Sequence, residues 1–583
     1  MAEDHEKHEH GQGDRLEKGV ARLKREDDCA HEKQPILMRK FKRTRRVPKR
    51  TREMTFRSLH HHSTYSYLDG FQLPAAHVRR AAELSMPALA LTEHGNVSSH
   101  VKLELAAKKE GIKPIFGVEL YCGEVGEGAT QRKNHLTILA SDQGGYTNLL
   151  KLVGKTWSEG FYYEPTASGA MLSEHKKGLY VLSGCNSSLL ATSLVGGKNI
   201  DVADASYARG KAVAASFKKT FGDRYYMEVQ AFPELADTVR INKMIAQISR
   251  ELKIPMVASF DCHYTVPEES EIQAVLHNVR GGTRQTLEEQ SRNWGYDVDL
   301  CPPWTDGMAL RKLMMTGLTE AEARGAILAT VDIADDCNVV IPSLPMLRFP
   351  VPRGTTALDV WRKWLREGWE RRGCDRLSKS DQLRYKQQLR HEMKVIEEKD
   401  YIDYFLIVAD IVTWAKDHEI LVGPARGSAA ASLACWLLRI TEVNPMIYPK
   451  LIFERFIDTS REDLPDIDLD FDSTKRHEID TYMITKYGRE CVNKIATFTQ
   501  YKNKLALDDV GRVYQIPKFR IDAVKDVLIE RSSGDLRASA TIEDTVEQFD
   551  AAREVFEDFP DLVIAMELEG NVKGMGVHAA GAR

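Results

Sequence analysis

The chain has 583 residues, of which 43% are hydrophobic and 28% are charged, and its formal net charge is only -4. This length predicts several domains, and the apolar fraction is ample for packed cores, which excludes a chain that is disordered throughout. The N-terminus has no apolar signal-peptide core, and the longest apolar stretch, 429–438, is too short to cross a bilayer. The 9 cysteines include no Cys-x-x-Cys pair, so we expect a reduced, cytoplasmic protein without membrane contact.

Charge is unevenly distributed near the N-terminus. Residues 1–35 are rich in His, Glu and Lys without apolar periodicity, and a dense basic run follows at 39–52. We therefore expect residues 1–52 to form a disordered extension. The basic run predicts either salt-sensitive contacts with nucleic acid phosphates or an ordinary solvated tail.

Between residues 55 and 264, short β-rich segments alternate with helical patterns. Strands are predicted at 88–92, 115–121, 136–140, 179–183, 225–230 and 256–259, and the helices between them include 75–84 and 241–252. This alternation is typical of parallel βαβ units, which can also close into a barrel. Functional side chains in such folds gather at the carboxyl ends of the strands.

Residues suited to metal binding lie near those predicted strand ends. His60 and His62 are two apart, as are Asp261 and His263, so each pair points to one side of an extended segment. Any one of these residues alone is more often an ordinary core or surface residue, but together they predict a metal site. This ligand set is His60, His62, Asp69, His94, Glu119, His135, Cys185, Asp261 and His263. Imidazoles, carboxylates and one thiolate together suit zinc, manganese or iron.

The second half of the chain contains a loop of small residues before an apolar segment. Residues 423–428 read Gly-Pro-Ala-Arg-Gly-Ser and lead into residues 429–438, for which we expect a buried helix. Small residues let a backbone approach a phosphate, and the start of a helix supplies oriented N–H groups. The loop therefore predicts phosphate binding, although many such loops are merely turns.

An acidic row follows at residues 465–471, which read Pro-Asp-Ile-Asp-Leu-Asp-Phe. On a β-strand, Asp466, Asp468 and Asp470 share one face while the apolar residues pack behind them. Like charges so close repel one another, so the row predicts bound divalent metal. The alternative is an acidic edge strand that resists aggregation.

The motifs of the first half resemble the polymerase-and-histidinol-phosphatase (PHP) domain that begins the alpha subunit of bacterial DNA polymerase III, a C-family replicative polymerase. The matching motifs are His-x-His-Ser at 60–63, Leu-Asp-Gly at 68–70, Thr-Glu-His-Gly-Asn at 92–96, Gly-Val-Glu at 117–119 and Asp-x-His at 261–263. The resemblance implies a distorted (β/α)7 barrel with a cluster of up to three ions, Zn²⁺ or Mn²⁺. Because all ligand positions are filled, it favours a metal-dependent 3′–5′ exonuclease. The family usually has Asp where this chain has Glu93, a position outside the ligand set.

The motifs of the second half resemble the polymerase-beta type palm of the same family. They are Tyr-Phe-Leu-Ile-Val-Ala-Asp at 404–410, the loop at 423–428, Phe-Glu-Arg-Phe at 453–456, the acidic row, and Asp-Val-Gly-Arg at 509–512. The resemblance implies a DNA-directed DNA polymerase in which Asp468 and Asp470 hold two Mg²⁺ ions. Asp466 would be a further ligand or would orient the strand.

The same resemblance implies contacts with the incoming dNTP and with primer-template DNA. Arg426, Gly427 and Ser428 would contact the triphosphate, whereas Ala425 replaces a family glycine and puts the phosphate geometry at that position in doubt. The candidate contacts with DNA phosphates are Lys475, Arg476, Lys502, Lys504 and Arg512.

The resemblance covers about 54–581 and predicts the domain order. After the extension come the PHP domain at 53–265, a connecting helical region at 266–345, an α+β palm at 346–475, a helical thumb at 476–573 and a return to the palm at 574–583. In the family a third catalytic Asp lies beyond the segment that matches 577–581. We therefore expect a second polypeptide to supply that strand and the fingers, and to bind the sliding clamp.

Three functions remain open on the sequence alone. The first is a DNA polymerase completed by a second chain. The second is a stand-alone PHP nuclease or phosphoesterase whose palm only binds DNA. The third is a degenerate fragment that binds DNA or partners without catalysis, which the completely filled ligand set argues against.

Overall fold

The computed structural model of the chain describes residues 55–126, 133–197, 200–281, 298–343, 347–458, 460, 464–529 and 540–582. The chain forms two compact units, the first made of residues up to Ile341 with Phe498–Gly576, and the second of Pro342–Thr497 with the residues from Val577. The expected extension at 1–52 lies outside the described residues, and the expected domain boundaries stay predictions. In the described part of the chain, no helix is long and apolar enough to cross a membrane.

The first unit is built on one α/β sheet. Its strands are β1 (Ala88–Leu91), β2 (Lys113–Cys122), β3 (Asn134–Ala140), β4 (Phe161–Tyr162), β5 (Glu164–Ala167), β6 (Leu179–Leu182), β7 (Tyr225–Gln230) and β8 (Met256–Ser259). All the predicted strands are present, with ends shifted by at most two residues, and the α/β class is confirmed. The short β4–β5 hairpin has no counterpart among the predicted strands.

A segment at residues 58–62 joins the two ends of this sheet. Strands β1, β2, β3, β6, β7 and β8 are neighbours in that order, and β5 pairs with the end of β2. On one side of the segment, the Ala90 N–H donates to the Ser58 carbonyl at 2.9 Å, and on the other the His62 N–H donates to the Cys262 carbonyl at 2.7 Å. Backbone hydrogen bonds therefore curl these strands into a ring, the arrangement that a distorted (β/α)7 barrel has.

One strand departs from the expected parallel order. β3 runs antiparallel to both β2 and β6, whereas the β1–β2, β6–β7 and β7–β8 pairs are parallel. The prediction of parallel βαβ units was wrong here, because the connection at 123–133 is too short to hold a crossover helix. The reversal brings the start of β3 to the edge where the neighbouring strands end.

Helices pack around the sheet of the first unit. They are α1 (Pro74–Glu83), α2 (His100–Glu110), α3 (Gln143–Ser158), α4 (Gly169–His175), α5 (Leu189–Val195), α6 (Tyr207–Phe221), α7 (Ala236–Leu252), α8 (Ser270–Gly281), α9 (Asp306–Met315) and α10 (Glu320–Asp336). In α7, Ile241, Ile245 and Ile248 recur at helical spacing and are buried in the core beside the sheet. This apolar stripe explains why the predicted helix at 241–252 forms where the sequence places it.

The second unit is mainly helical. It contains α11 (Ala357–Arg371), α12 (Lys379–Glu398), α13 (Ile402–Asp417), α14 (Leu433–Leu437) and α15 (Arg476–Tyr487). The expected buried helix at 429–438 is confirmed in a shorter form, since a 3₁₀ turn at Ser428–Ala431 precedes the fully buried α14. A two-stranded sheet of β9 (Lys494–Gln500) and β10 (Val572–Ala582) follows, and the boundary between the units falls within both strands.

The chain returns to the first unit at Phe498, within β9. There it forms α16 (Asn503–Val513), α17 (Lys518–Asp526), α18 (Ile542–Gln548), α19 (Asp550–Asp558) and α20 (Ile564–Leu568). These helices share an apolar core with α8, which includes Val275, Leu507 and Phe556. Helical structure in the expected thumb region is therefore observed.

The acidic row is extended but is not a full strand. Its backbone pairs with residues 421–423, where the Gly423 N–H donates to the Asp470 carbonyl at 2.8 Å and a single bridge links Val422 to Phe471. The expectation of a regular β-strand was wrong, because the pairing of this segment ends after one bridge within the described residues. The predicted alternation nevertheless holds, since Asp466, Asp468 and Asp470 are exposed while Ile467 and Leu469 pack against the core.

A buried carboxylate satisfies the first N–H groups of α14. Glu392 of α12 has no exposed surface, and its two oxygens accept hydrogen bonds from the Leu433 and Ala434 N–H groups, both at 2.9 Å. The Ser432 hydroxyl donates to the same carboxylate at 2.8 Å. Without Glu392 these N–H groups, which have no partner inside the helix, would be buried and unsatisfied.

We expect Glu392→Ala to lower the free energy of unfolding by about 3 kcal/mol, because hydrogen bonds to a charged group contribute about 1.5–3 kcal/mol each. Chemical denaturation of the full chain measures this difference. Glu398→Ala is the matched control, because Glu398 is exposed on the same helix and should shift stability by no more than about 0.5 kcal/mol. Equal stability of the two variants would contradict the capping role.

Candidate metal centre and phosphate-binding loop

The segment at 58–62 places two histidines of the ligand set on one side of the chain. His60 and His62 face the centre of the first unit, as their spacing predicts. The intervening His61 points away, where its Nδ1 lies 2.9 Å from the Ser58 Oγ and its Nε2 lies 2.7 Å from the His77 Nδ1. The extended backbone thus separates two inward imidazoles from a third one that belongs to the surrounding structure.

Glu119 of β2 is the centre of the cluster. Its Oε1 lies 3.2 Å from the His60 Nε2 and 3.0 Å from the His135 Nδ1, while its Oε2 lies 2.7 Å from the His94 Nδ1. The Cys185 Sγ lies 3.7 Å from Glu119 Oε1. One carboxylate therefore meets side chains from β3, from the segment at 58–62 and from the ends of β1 and β6.

Two aspartates extend the cluster on either side of Glu119. The Asp261 Oδ1 lies 3.3 Å from the His60 Nε2 and 3.6 Å from the His62 Nε2. The Asp69 carboxylate lies 3.0 Å from the His94 Nε2 and 3.6 Å from the His263 Nε2. The structure therefore brings the whole predicted ligand set into one connected cluster, and the roles of its members as ligands stay predictions.

Several buried atoms of the cluster lie close to one another, yet the angles between them are not those of hydrogen bonds. They are the His60 Nε2, His62 Nε2, His94 Nδ1, Glu119 Oε2 and Asp261 Oδ1 atoms. Three groups in the described residues hold potential ligand atoms within 4.8 Å of one another: His62–His94–His263, His60–His62–Glu119 and His94–Glu119–His135. Buried polar atoms are rarely left unsatisfied, and a cation between these nitrogens and oxygens would satisfy them. The residues present therefore fit a bound metal.

The charge states of two members of the cluster, His62 and Glu119, suit metal binding directly. Burial, together with the nearby His94 and His263, lowers the pKa of His62 to about 3, so its imidazole stays neutral. Burial alone would raise the pKa of Glu119, but His135, His60 and His94 hold that pKa well below its usual range. Neutral imidazole and ionised carboxylate are the forms that coordinate a metal ion. Burial alone would lower the pKa of His60 and His94, but Glu119 and other nearby groups raise both, so a metal ion would have to displace a proton from these two imidazoles.

Backbone constraints hold the cluster in place. Asp261 adopts φ of 42°, an unusual conformation for a residue other than glycine, and its Oδ2 accepts a hydrogen bond from the Gln230 Nε2 at 3.0 Å. In β2, a Cβ at Gly117 would lie 2.6 Å from the Ile138 carbonyl oxygen, so only glycine fits two residues before Glu119. Strained backbone kept at such positions is typical of functional sites.

Sequence reasoning missed the residues that support the ligand set. The Glu228 Oε1 lies 2.7 Å from the His60 Nδ1, and the His277 Nε2 lies 2.7 Å from the Asp69 Oδ1. An acidic residue within the predicted strand at 225–230 could have pointed to Glu228, whereas His277 lies on α8 with no motif around it. Glu93, outside the ligand set, accepts from the Ser63 and Ser66 hydroxyls at 2.5 and 2.7 Å and so holds the turn between His62 and Asp69.

In the second unit, the loop at 423–428 lies directly against the acidic row. The Arg426 Nη1 lies 2.8 Å from the Asp470 Oδ1, and this hydrogen-bonded ion pair raises the pKa of the guanidinium. Gly427 has φ of 65°, and a Cβ there would lie 2.5 Å from the Asp468 Oδ2. A glycine at 427 therefore allows the loop to lie against Asp468, where a larger side chain would clash. The adjacent Ser428 is exposed.

The other predicted site residues of the second half, Asp466 and the basic candidates for DNA contacts, do not belong to a ligand cluster in the described residues. Asp466 is exposed, and the three-residue ligand clusters found in the described residues all lie in the first unit. Among the basic candidates, the Lys475 Nζ lies 3.5 Å from the Glu419 carbonyl oxygen and the Arg512 Nη2 lies 3.1 Å from the Asp509 Oδ1. The remaining candidates are exposed: Arg476, Lys502 and Lys504. Their contacts with DNA stay predictions.

Two family models match the chain. The model described as PHP domain matches residues 58–232, and the model described as bacterial DNA polymerase III alpha NTPase domain matches residues 362–582. The first match covers most of the ligand set, and the second contains the loop at 423–428 and the acidic row.

Curated relatives match both regions together. The DNA polymerase III subunit alpha of Treponema pallidum is 32% identical over 542 residues, which cover 91% of this chain and 44% of that protein. The same subunit of Helicobacter pylori is 31% identical over 560 residues, which cover 90% of this chain and 45% of that protein. The chain therefore spans less than half the length of these relatives.

A solved structure also shares similarity with part of the chain. It is a two-domain protein from Bacteroides vulgatus described as containing a predicted PHP-like metal-dependent phosphoesterase, with 18% identity and a TM-score of 0.23 over 37% of this chain and 57% of that one. That score is too low to support an argument about this chain. The family matches and the curated relatives together show that the chain carries a PHP domain followed by a bacterial DNA polymerase III alpha NTPase domain, and that it is a relative of the DNA polymerase III alpha subunits.

Proposed function

We propose that the chain is the nucleotidyl-transfer part of a DNA-directed DNA polymerase of the polymerase III alpha type. The observation that carries this proposal is the contact of the loop at 423–428 with the acidic row, through Gly427 at Asp468 and Arg426 at Asp470. Transfer of a nucleotide from a triphosphate requires groups that bind the phosphates next to carboxylates that hold metal ions. The loop and the two exposed aspartates have this arrangement.

Asp468 and Asp470 would hold two Mg²⁺ ions in this proposal. When bound, such ions activate the primer 3′-hydroxyl and neutralise charge on the triphosphate. Arg426 supplies a guanidinium that is exposed enough to exchange its contact with Asp470 for one with a phosphate. Gly427 and Ser428 expose backbone and hydroxyl to the same phosphates, and Asp466 serves as a further ligand or orients the segment.

We expect Asp468→Asn and Asp470→Asn each to weaken the Mg²⁺-dependent binding of a dNTP by at least about tenfold, because each removes a negative charge that faces the ions. Isothermal titration of dATP in the presence of Mg²⁺ measures the affinity. Glu398→Gln, which removes one exposed charge on α12, is the control and should bind dATP like the unchanged chain. Normal affinity in both aspartate variants would rule out this nucleotide site.

The chain spans less than half the length of the curated relatives it matches. We propose that primer extension and the sliding-clamp contact require the remaining part of such a subunit, supplied either by further residues of the same polypeptide or by a second one. Primer-template DNA and dNTPs are the proposed substrates, and the cytoplasm is the proposed location.

We expect these 583 residues alone to bind primer-template DNA but not to extend the primer, because the resemblance places a third catalytic aspartate outside them and a two-metal site without one of its ligands loses most of its rate. Incubation with a labelled primer-template, Mg²⁺ and all dNTPs tests this, with a full-length alpha subunit of a relative as the positive control. Primer extension by these residues alone would overturn the need for the remaining part of the subunit.

We also propose that the PHP domain hydrolyses phosphodiesters and removes nucleotides from a 3′ end. The supporting observation is the set of buried, unpartnered nitrogens and oxygens around Glu119, which a cluster of Zn²⁺ or Mn²⁺ ions would satisfy. When bound, the ions activate a water molecule and neutralise the charge that develops on the leaving oxygen. A stand-alone PHP nuclease with a palm that only binds DNA is the alternative function that this same observation supports.

We expect Asp261→Ala to lower the content of bound Mn²⁺ or Zn²⁺ and to abolish trimming of a primer 3′ end. Asp261 contributes a buried oxygen that faces both His60 and His62, so its loss removes a shared ligand. Elemental analysis and a gel assay of primer trimming measure the two effects. Asp223→Ala is the matched control, because its side chain is fully exposed and pairs only with Lys218 among the contacts of the described residues. Trimming that survives in Asp261→Ala would assign the nuclease to another site.

A further inference from the structure

A cluster of exposed aromatic residues stands beside the metal centre. The side chains of Trp157, Phe161, Tyr162 and Tyr163 are 38%, 53%, 43% and 68% exposed. The Trp157 and Phe161 rings stack with centroids 5.4 Å apart at 18°, and Tyr162 and Tyr163 meet edge to face at 4.8 Å. We call residues 157–165, which include the β4–β5 hairpin, the aromatic hairpin. Exposed aromatic clusters of this kind mark binding surfaces.

The aromatic hairpin is attached to a residue next to the metal centre. The Trp157 Nε1 donates a hydrogen bond to the Gly95 carbonyl at 2.8 Å, and Gly95 directly follows His94. On the other side, a Cβ at Gly95 would lie 2.7 Å from the Pro165 Cγ, so the hairpin packs tightly on this glycine. The rings are therefore held at a fixed position relative to the cluster around Glu119.

Two cationic side chains link the rings to the metal centre. The Lys133 Nζ lies 5.7 Å from the centroid of the Tyr162 ring. Arg280 lies between the hairpin and the cluster. Its Nη2 is 3.4 Å from the Oε1 of Glu164 in the hairpin, and its Nη1 is 3.8 Å from the Oδ2 of Asp69 in the cluster. These two cations line a cleft of about 990 Å³ that also reaches His94 and His135. The cleft thus connects Glu164 of the hairpin to the cluster. Asp69, Glu164, Glu234 and Asp237 also line it, so Lys133 and Arg280 are the groups in it that can attract phosphate oxygens.

The tip of the hairpin is strained. Tyr163 adopts φ of 63°, which a bulky aromatic residue rarely does. Its ring is mostly exposed, so packing does not account for the choice of tyrosine at this position. The left-handed conformation at the hairpin tip costs free energy, and residues held in it often cluster at functional sites, which agrees with a role for this ring in binding.

We propose that the aromatic hairpin binds the unpaired bases of a single-stranded nucleic acid near its 3′ end and leads the terminal phosphodiester through the cleft to the metal centre. Flat exposed rings beside cations match bases and phosphates, and every base can stack on them regardless of sequence. Bases inside a duplex are already stacked and cannot use the hairpin. This inference rests on the proposed phosphodiester hydrolysis and adds to it a substrate class, a frayed or single strand.

The test uses single-stranded oligonucleotides with 2-aminopurine at one of the last three positions, whose fluorescence reports stacking. Titrations with Ca²⁺ in place of Mn²⁺ measure the affinity of the full chain. Phe161→Leu keeps an apolar side chain but removes the ring, and Tyr163→Asn removes a ring while keeping a residue that tolerates positive φ. We expect each to weaken binding by about tenfold, as loss of one stacked base does. Phe161→Tyr, which keeps the ring, should bind like the unchanged chain.

Two controls separate this inference from the proposed hydrolysis. Leu105→Ala removes an exposed apolar side chain on α2 and should leave the fluorescence titration unchanged. Hydrolysis of bis(p-nitrophenyl) phosphate with Mn²⁺, a diester without bases, measures the metal centre of the unchanged chain independently of the hairpin. Failure of the unchanged chain to hydrolyse this diester would count against the proposed hydrolysis, while the titration still decides the role of the hairpin. Equal affinity of Phe161→Leu and Phe161→Tyr for the oligonucleotides would overturn the inference.

Discussion

Glu119 is buried, and its carboxylate lies within 3.2 Å of imidazole nitrogens from His60, His94 and His135. A charge in such a place is tolerated only with partners, and these partners come from separate parts of the chain. The ring of strands is what brings them together, because the segment at 58–62 hydrogen-bonds to β1 on one side and to the residues after β8 on the other. The segment whose backbone hydrogen bonds close the ring therefore also carries His60 and His62 of the candidate metal centre.

The two acidic sites of the chain differ in how their negative charges are stabilised. In the first unit, carboxylates are enclosed with imidazoles, and several of their nitrogens and oxygens are buried without hydrogen bonds, which a bound cation would satisfy. In the second unit, Asp466, Asp468 and Asp470 remain exposed, so water offsets their repulsion and Arg426 offsets part of it. An enclosed site suits resident ions, whereas an exposed row beside a glycine-containing loop suits ions that arrive with a triphosphate.

Local sequence patterns predicted most of the helices and strands. The predictions failed where the pairing of distant segments decided the structure. The predicted strands and the helix at 241–252 are present because alternating and helical spacings act within a few residues. The orientation of β3 and the incomplete pairing of the acidic row depend on which segment lies alongside, which spacing does not specify. For the same reason no sequence motif marks Glu228 and His277, which contact His60 and Asp69.

The sequence by itself determined the side-chain types, their spacing and the face on which each would lie, as the alternating exposure of the acidic row and the inward pair His60 and His62 demonstrate. Only the tertiary structure decided which distant residues meet. Glu119 and His135 lie at the same edge of the sheet because β3 runs antiparallel to β2. The aromatic hairpin lies beside His94 because the Trp157 Nε1 donates a hydrogen bond to the Gly95 carbonyl. Backbone geometry fixes side-chain direction within one element, whereas convergence of several elements depends on the packing of the whole unit.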